Sequence, residues 1–212
     1  SQMLLDKTVE ELDSYFAQAQ EGMNLMVTDI NVQNAIDDYV TGTYKERLDL
    51  RDFIRNRLTN MSTVGRRTGA ISIYIKEADK TFSRDFSDKD LSAACAGAPW
   101  FEALLAGDTS FVREDGDSLQ DGRPVWILAS NIVSVKNGEV QGLVYVELDK
   151  QKMIQPFYDL VEGSGDEIIC SGNEIISDTY KEGNHFVPVY SYSSALGQDV
   201  EFRLQLKELQ RG

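Results

Sequence analysis

With 212 residues, 42% of them hydrophobic and 26% charged, the chain is long enough to bury one or two cores. Its 35 Asp and Glu against 21 Lys and Arg leave a net charge of −14. That surface repels phosphate backbones and anionic membranes, which argues against a nucleic-acid partner and suits a solvated protein that takes up small neutral or cationic molecules.

The first element is a long helix. Leu5, Val9, Leu12, Phe16, Ala19, Met23, Met26 and Ile30 alternate spacings of four and three, a heptad seam. At about 1.5 Å per residue such a helix runs roughly 40 Å. It serves either as a core helix of one protomer or as the contact of a homodimer, and the two roles are compatible. The pattern breaks near Asp29-Ile30-Asn31, where Asp29 or Asn31 caps a second helix carrying Val32, Ala35, Ile36, Tyr39 and Val40. A third helix spans about Tyr44 to Met61, with Leu48, Phe53, Ile54 and Leu58 inward, and Gly65 and Gly69 close the helical region.

From Ala70 the period becomes two. Ile71, Ile73 and Ile75 alternate with Ser72, Tyr74 and Lys76, as in a half-buried strand. A polar connection leads to a helix over about 88–106, then a strand from Thr109 to Arg113 and an acidic turn from Glu114 to Gly122. Strands from Pro124 to Val135 and Glu139 to Asp149 follow, joined through Lys136-Asn137-Gly138, a strong hairpin signal. A helix is expected from Lys150 to Val161, ended by Gly163-Ser164-Gly165. The rest is strand-like: Glu167 to Cys170, Glu174 to Ser177, Phe186 to Ser191 and Val200 to Leu206.

Little in the chain supports catalysis or metal binding. His185 is the lone histidine, so a catalytic triad or a His-rich zinc site has no basis. Neither GxxxxGK[ST] nor GxGxxG occurs. The acidic run Glu114, Asp115, Asp117 and Asp121 lacks the calcium-loop spacing and reads as a solvated turn. No metal, no cofactor and no enzymatic activity are expected of the domain. Cys95 and Cys170 are either two separate buried thiols or one disulfide. No stretch approaches the roughly 20 apolar residues that cross a bilayer. Both ends read as cuts within a longer protein, which places membrane spans in the flanks.

Binding is better supported. Ile71, Ile73, Ile75, Val144, Val146 and Leu148 make one sheet face aliphatic and direct it toward the long helix. The other face is expected to carry Ser72, Tyr74, Tyr145 and Glu147, with Trp126 and Ser130 from the middle strand. Aromatic walls with a few polar groups form a small-molecule pocket, the alternative being a solvent-exposed sheet face.

The order of elements, with APWFEALLAG (97–106), TSFVR (109–113) and GRPVWILASNIVSVKNGEVQGLVYVELD (122–149), resembles the double Cache sensor domain of bacterial transmembrane receptors. It is most similar to those of Gram-positive sensor histidine kinases. The resemblance implies an α+β fold: a long N-terminal helix, a PAS-like antiparallel sheet module and a smaller membrane-proximal β-rich module. The corresponding boundaries are 1–43, 44–162 and 163–212. It further implies an extracytoplasmic location, and it adds Trp100, Phe111 and Arg113 to the Tyr74, Trp126, Ser130, Tyr145 and Glu147 of the sheet face as the expected holders of a small-molecule ligand. Amino-acid-binding members carry an arginine where this chain has Ala98, and a tyrosine and an aspartate where it has Phe111 and Arg113. A second family aspartate, which grips the ligand's ammonium, falls at Glu147. With Arg113 expected to neutralise Glu147, the ligand is a neutral polar or sugar-like molecule rather than a free amino acid. Competing readings are a solute-binding protein with two parallel-sheet lobes, a chemoreceptor or nucleotide-cyclase sensor of the same fold, and a purely structural dimerisation domain.

Overall fold

The computed structural model describes residues 2–61, 68–84, 89–150 and 152–153, and beyond them the backbone of six short strands between Ile169 and Arg203. The chain divides into two compact units, one of Gln18–Lys152 and one of Ser1–Ala17 with Met153–Gly212.

The helices form where the periodicity places them. Helix α1 (Gln2–Thr28) carries the heptad seam, and Leu12, Phe16, Ala19, Met23 and Met26 are all buried within the chain. At these five positions the seam is consumed by the protomer's own packing. The side chains of Leu5 and Val9 lie outside the described residues, and Ile30 is exposed. The Asp29 carboxylate accepts from the Asn31 N–H at 2.8 Å and starts α2 (Ile30–Thr41), as its cap position predicts. Helix α3 (Tyr44–Met61) opens on a capping box, the Thr43 N–H donating to Glu46 at 2.7 Å and the Glu46 N–H to the Thr43 hydroxyl at 3.4 Å.

The sheet of the larger unit contains β1 (Thr68–Ile75), β2 (Lys80–Ser83), β3 (Phe111–Asp117), β4 (Pro124–Val133) and β5 (Val140–Asp149). All neighbours are antiparallel, in the PAS-like order β2-β1-β5-β4-β3. Strand β2 was hidden in the polar connection, because a four-residue strand leaves almost no periodicity to detect. The expected helix over 88–106 is two: α4 (Leu91–Ala94) and α5 (Pro99–Ala106). Pro99 at the start of α5 has no N–H to continue a preceding helix and holds Ala98 extended. Strand β3 runs on to Asp117, through half of what reads as a turn.

Helices α2 and α3 lie against the aliphatic side of the sheet, where Tyr39 meets Phe82 edge-on at 5.2 Å. Gln33, itself buried, ties this side together: its amide donates to the Val27 carbonyl at 3.0 Å and its oxygen accepts from the Val135 N–H at 3.0 Å. Gly142 lets β1 and β5 close up; a Cβ there would lie 1.8 Å from the Tyr74 carbonyl oxygen.

In the smaller unit the strands are β6 (Ile169–Ser171), β7 (Glu174–Ile176), β8 (Tyr180–Glu182), β9 (His185–Val187), β10 (Val189–Ser193) and β11 (Asp199–Arg203). They pair antiparallel as β6-β7, β8-β9 and β10-β11. The helix expected from Lys150 to Val161 lies outside the described residues beyond Met153.

Candidate functional site

Cross-strand register decides which residues share a face, because partners on neighbouring strands point the same way. Ser72 pairs with Tyr145 and Tyr74 with Leu143, so these four share one side, with Glu147 on the same strand as Tyr145. On β4 the partner of Glu147 is Ile127 and that of Tyr145 is Ala129. Trp126 pairs with Leu148 and Ser130 with Val144, on the aliphatic side. The edge strand follows suit: Phe111 pairs with Ser130 and Arg113 with Leu128.

The eight expected ligand residues therefore fall into two groups. Tyr74, Tyr145, Glu147 and, from α5, Trp100 lie on the α4–α5 side. Phe111, Arg113, Trp126 and Ser130 lie on the other. The reason is a single residue of register. Continued from the Val133–Val140 pair without interruption, the ladder would set Ser130 opposite Leu143, on the Tyr145 side. Instead, beyond the loop from Val135 to Gly138, closed by the Gly138 N–H on the Ser134 carbonyl at 2.8 Å, a bulge intervenes between Ile132 and Val133. Hydropathy does not reveal the shift, since β4 is buried on both faces from Val125 to Ile132.

Arg113 accordingly does not neutralise Glu147. Its guanidinium lies over the Trp126 ring, 5.7 Å from the centroid, with the Lys150 ammonium 5.6 Å from the same centroid. Trp126 is fully buried, Lys150 pairs with Asp115, and the Ser130 hydroxyl donates to the Ser110 carbonyl at 2.9 Å. On this side the polar groups are engaged in packing.

The α4–α5 side centres on Glu147, whose side chain belongs to a wholly buried residue. Its Oε1 accepts from the Leu119 N–H at 2.7 Å and from the Tyr145 hydroxyl at 3.0 Å, and its Oε2 from the Ala70 N–H at 3.3 Å. A register shift between Thr68 and Ile71 turns the Ala70 N–H to the carboxylate. Gly69 makes room beside it, since a Cβ there would approach Glu147 Oε2 to 3.1 Å. A buried carboxylate is stable only with such donors around it.

Around this acid lie Tyr74, Cys95, Phe101, Leu104, Ile127 and Leu143, with Trp100 and Leu119 partly buried against them. Phe101 is 5.6 Å from the Tyr74 ring and meets Trp100 edge-on at 5.8 Å. Burial, then the Glu147 charge, push the Cys95 thiol up to about 11. The same two causes raise the Tyr145 phenol further. Tyr74 is pushed up to about 12 by burial and by its hydrogen bond to Asp79, at 2.9 Å. Its hydroxyl is thereby committed, and its ring is the part that meets the aromatic cluster.

Several residues of this face escaped the sequence reading. Asn131 donates to the Leu104 and Thr109 carbonyls at 3.1 and 3.0 Å and fixes the end of α5 on the sheet. A lone amide inside the run WILASNIV was the available signal. Ser83, on the short β2, shares a buried hydrogen bond of 2.8 Å with the expected Ser72. Cys95 is a free, buried thiol, and the side chain of Cys170 lies outside the described residues. Among the described residues, no three His, Cys, Asp or Glu side chains converge as metal ligands. Nor is any described helix long and apolar enough to cross a membrane.

No family model matches the chain, and no curated protein does. Solved structures do. The sensor domain of the Vibrio cholerae histidine kinase DctB superposes with a TM-score of 0.51 at 12% identity, over 71% of this chain and 57% of that one. The ligand-binding domain of the Pseudomonas aeruginosa amino-acid chemoreceptor PctC, in complex with GABA, gives 0.51 at 10% identity over 77% and 67%. An extracellular ligand-binding receptor from Desulfohalobium retbaense gives 0.57 at 13%, over 95% of this chain and 38% of that one. The chain thus spans little more than half of the DctB domain. At these identities the likeness is one of fold, the α+β, PAS/Cache-like architecture of sensor domains.

Proposed function

We propose that the chain is the extracytoplasmic small-molecule-sensing domain of a transmembrane signal-transduction receptor, with a binding rather than a catalytic role. The observation that carries this reading is Glu147, a buried carboxylate in a cage of donors, on the sheet face that α4 and α5 cover with aromatic side chains. Its three donors, the Leu119 and Ala70 N–H groups and the Tyr145 hydroxyl, are all neutral, and a carboxylate held by neutral donors is a recognition group for a ligand's donors. A solute-binding protein is disfavoured by the antiparallel sheet, since that class is built on parallel lobes.

The finer reading is a double Cache sensor of a histidine kinase, of the Gram-positive type, anchored by flanking spans. The favoured ligand is a neutral polar, sugar-like molecule whose hydroxyls reach Glu147 and whose apolar face meets Tyr74, Phe101 and Trp100. Ala98 supports it, because the arginine that clamps a carboxylate in amino-acid binders is missing there. Arg113 no longer does, because it lies on the other face. A thermal-shift screen of polyols, amines and amino acids tests both levels. A true ligand at a hundred times its Kd stabilises by about 2.7 kcal/mol. Tight calorimetric binding of a free α-amino acid overturns the ligand assignment, and a screen in which nothing shifts the melting point overturns the sensing role.

The receptor is proposed to act as a homodimer through α1. With the heptad seam buried, the contact falls to the outer stripe of Ser14, Ala17, Gln18, Glu21 and the exposed Leu25. Sedimentation equilibrium of Leu25→Glu checks this, with a weaker dimer expected than in the unchanged chain.

A further inference from the structure

The hydrogen bond from Leu119 to Glu147 differs in kind from the other two. Tyr145 and Ala70 donate from the strands of the sheet. Leu119 donates from the connection between β3 and β4, which is itself a closed body. The Ser118 N–H donates to the Arg123 carbonyl at 2.7 Å and the Gly122 N–H to the Ser118 carbonyl at 2.9 Å. Arg123 clamps Asp121 at 2.7 Å and also Asp149 at the end of β5 at 3.1 Å, so the loop is hinged to the sheet at its Arg123 end. Such a loop moves as a unit without losing its own hydrogen bonds. Its Leu119 side chain packs on the same apolar cluster as Tyr74, Phe101 and Cys95. Lys89 holds it from outside, its ammonium donating to the Leu119 carbonyl and, at 3.2 Å, to that of Gln120.

We propose that the segment Ser118–Gly122 is a built-in plug: the Leu119 N–H occupies the ligand's place on Glu147 and holds the site closed until a ligand supplies that donor instead. The proposal rests on the sensing reading above. Its physical basis is that a buried carboxylate cannot be left short of donors, so the loop opens readily only when the donor is replaced. Ligand and plug then compete, and the affinity seen from outside is the intrinsic one reduced by the fraction of open molecules. The loop follows directly on β3, the edge strand of the sheet. Release of the plug therefore frees the end of one strand, a change that a receptor can read.

The test needs no ligand. Cys95, buried under the same cluster, reports opening through its alkylation by iodoacetamide, quantified peptide by peptide so that Cys170 is counted separately. Hydrogen exchange over 118–122 reports it a second way. Lys89→Ala removes the outer staple without touching the site. It is expected to raise both Cys95 alkylation and exchange over 118–122 about tenfold, while exchange in β1 and β5 and the unfolding midpoint stay unchanged. Leu119→Pro deletes the N–H itself and is expected to move both further in the same direction, whereas Leu119→Ala, which keeps the N–H, moves them less. The plug is overturned if Lys89→Ala leaves both rates at the unchanged chain's values, or if the rise extends equally to β1 and β5. It is also overturned if the Leu119 amide of the unchanged chain exchanges like an unprotected one. A plug that opens as expected in a chain that no screened molecule stabilises would sink the sensing role and leave the plug standing.

Discussion

On the α4–α5 side of the sheet a carboxylate is buried among hydrogen-bond donors, whereas on the opposite side a guanidinium and an ammonium lie over a buried indole. The same strands supply both arrangements. The first satisfies a charge with three separate donors, one of them on a loop, the donor that the proposed plug exchanges for a ligand's. The second spreads two cations over the face of Trp126, a contact made of bulk and position. Under the proposed function the exchangeable donor marks the first face as the site and the filled second face as its scaffold.

Mutations can break or sharpen this contrast. The largest effect is expected where the faces share one support. Gly142→Val drives a side chain into the Tyr74 carbonyl, so urea unfolding should show a loss of about 4 kcal/mol or more, with both faces lost together. Trp126→Ala empties the scaffold face alone. A loss of about 3–5 kcal/mol is expected from the same measurement, with β1 and α5 keeping their relative protection in hydrogen exchange. Tyr145→Phe removes one donor from Glu147 and should cost about 1–3 kcal/mol. For a ligand found by screening, that change should weaken binding about tenfold while Phe111→Leu, on the far face, leaves it within about twofold, as calorimetry would show. Equal losses from both variants would mean that the register-based division is wrong.

The smallest effect is one of pH. The folded state raises the Cys95 thiol from its ordinary 9.0 to about 11, so it keeps its proton longer than the unfolded chain does. That contribution is intact below about pH 9 and is lost as the pH climbs toward 11. Cys95→Ala should therefore show a flatter stability profile across that window in chemical denaturation. The tyrosine contributions also fall at high pH: that of Tyr74 is common to both proteins and cancels in the difference, whereas that of Tyr145, raised mainly by burial and the Glu147 charge and least by Cys95, cancels in its larger part.

Much of this molecule was legible from residue order. Heptad spacing marked α1, the Asp29 cap marked α2, and alternation marked β1 and β5, because these signals are local and each recurs many times within its element. Tyr74, Tyr145 and Glu147 were placed on one face for the same reason, since β1 and β5 keep a clean alternation. Three matters were decided only by the tertiary structure. The seam of α1 turned inward, because a heptad stripe is equally suited to a neighbour in the same chain and to a second copy. Trp126, Ser130, Phe111 and Arg113 went to the far face, because a strand buried on both sides has no hydropathy contrast and one residue of register reverses every side chain. Glu147 found its third donor in Leu119, a residue that lies 28 positions away, because a backbone N–H has no signature in sequence and acquires a role only when the chain folds it against an acid.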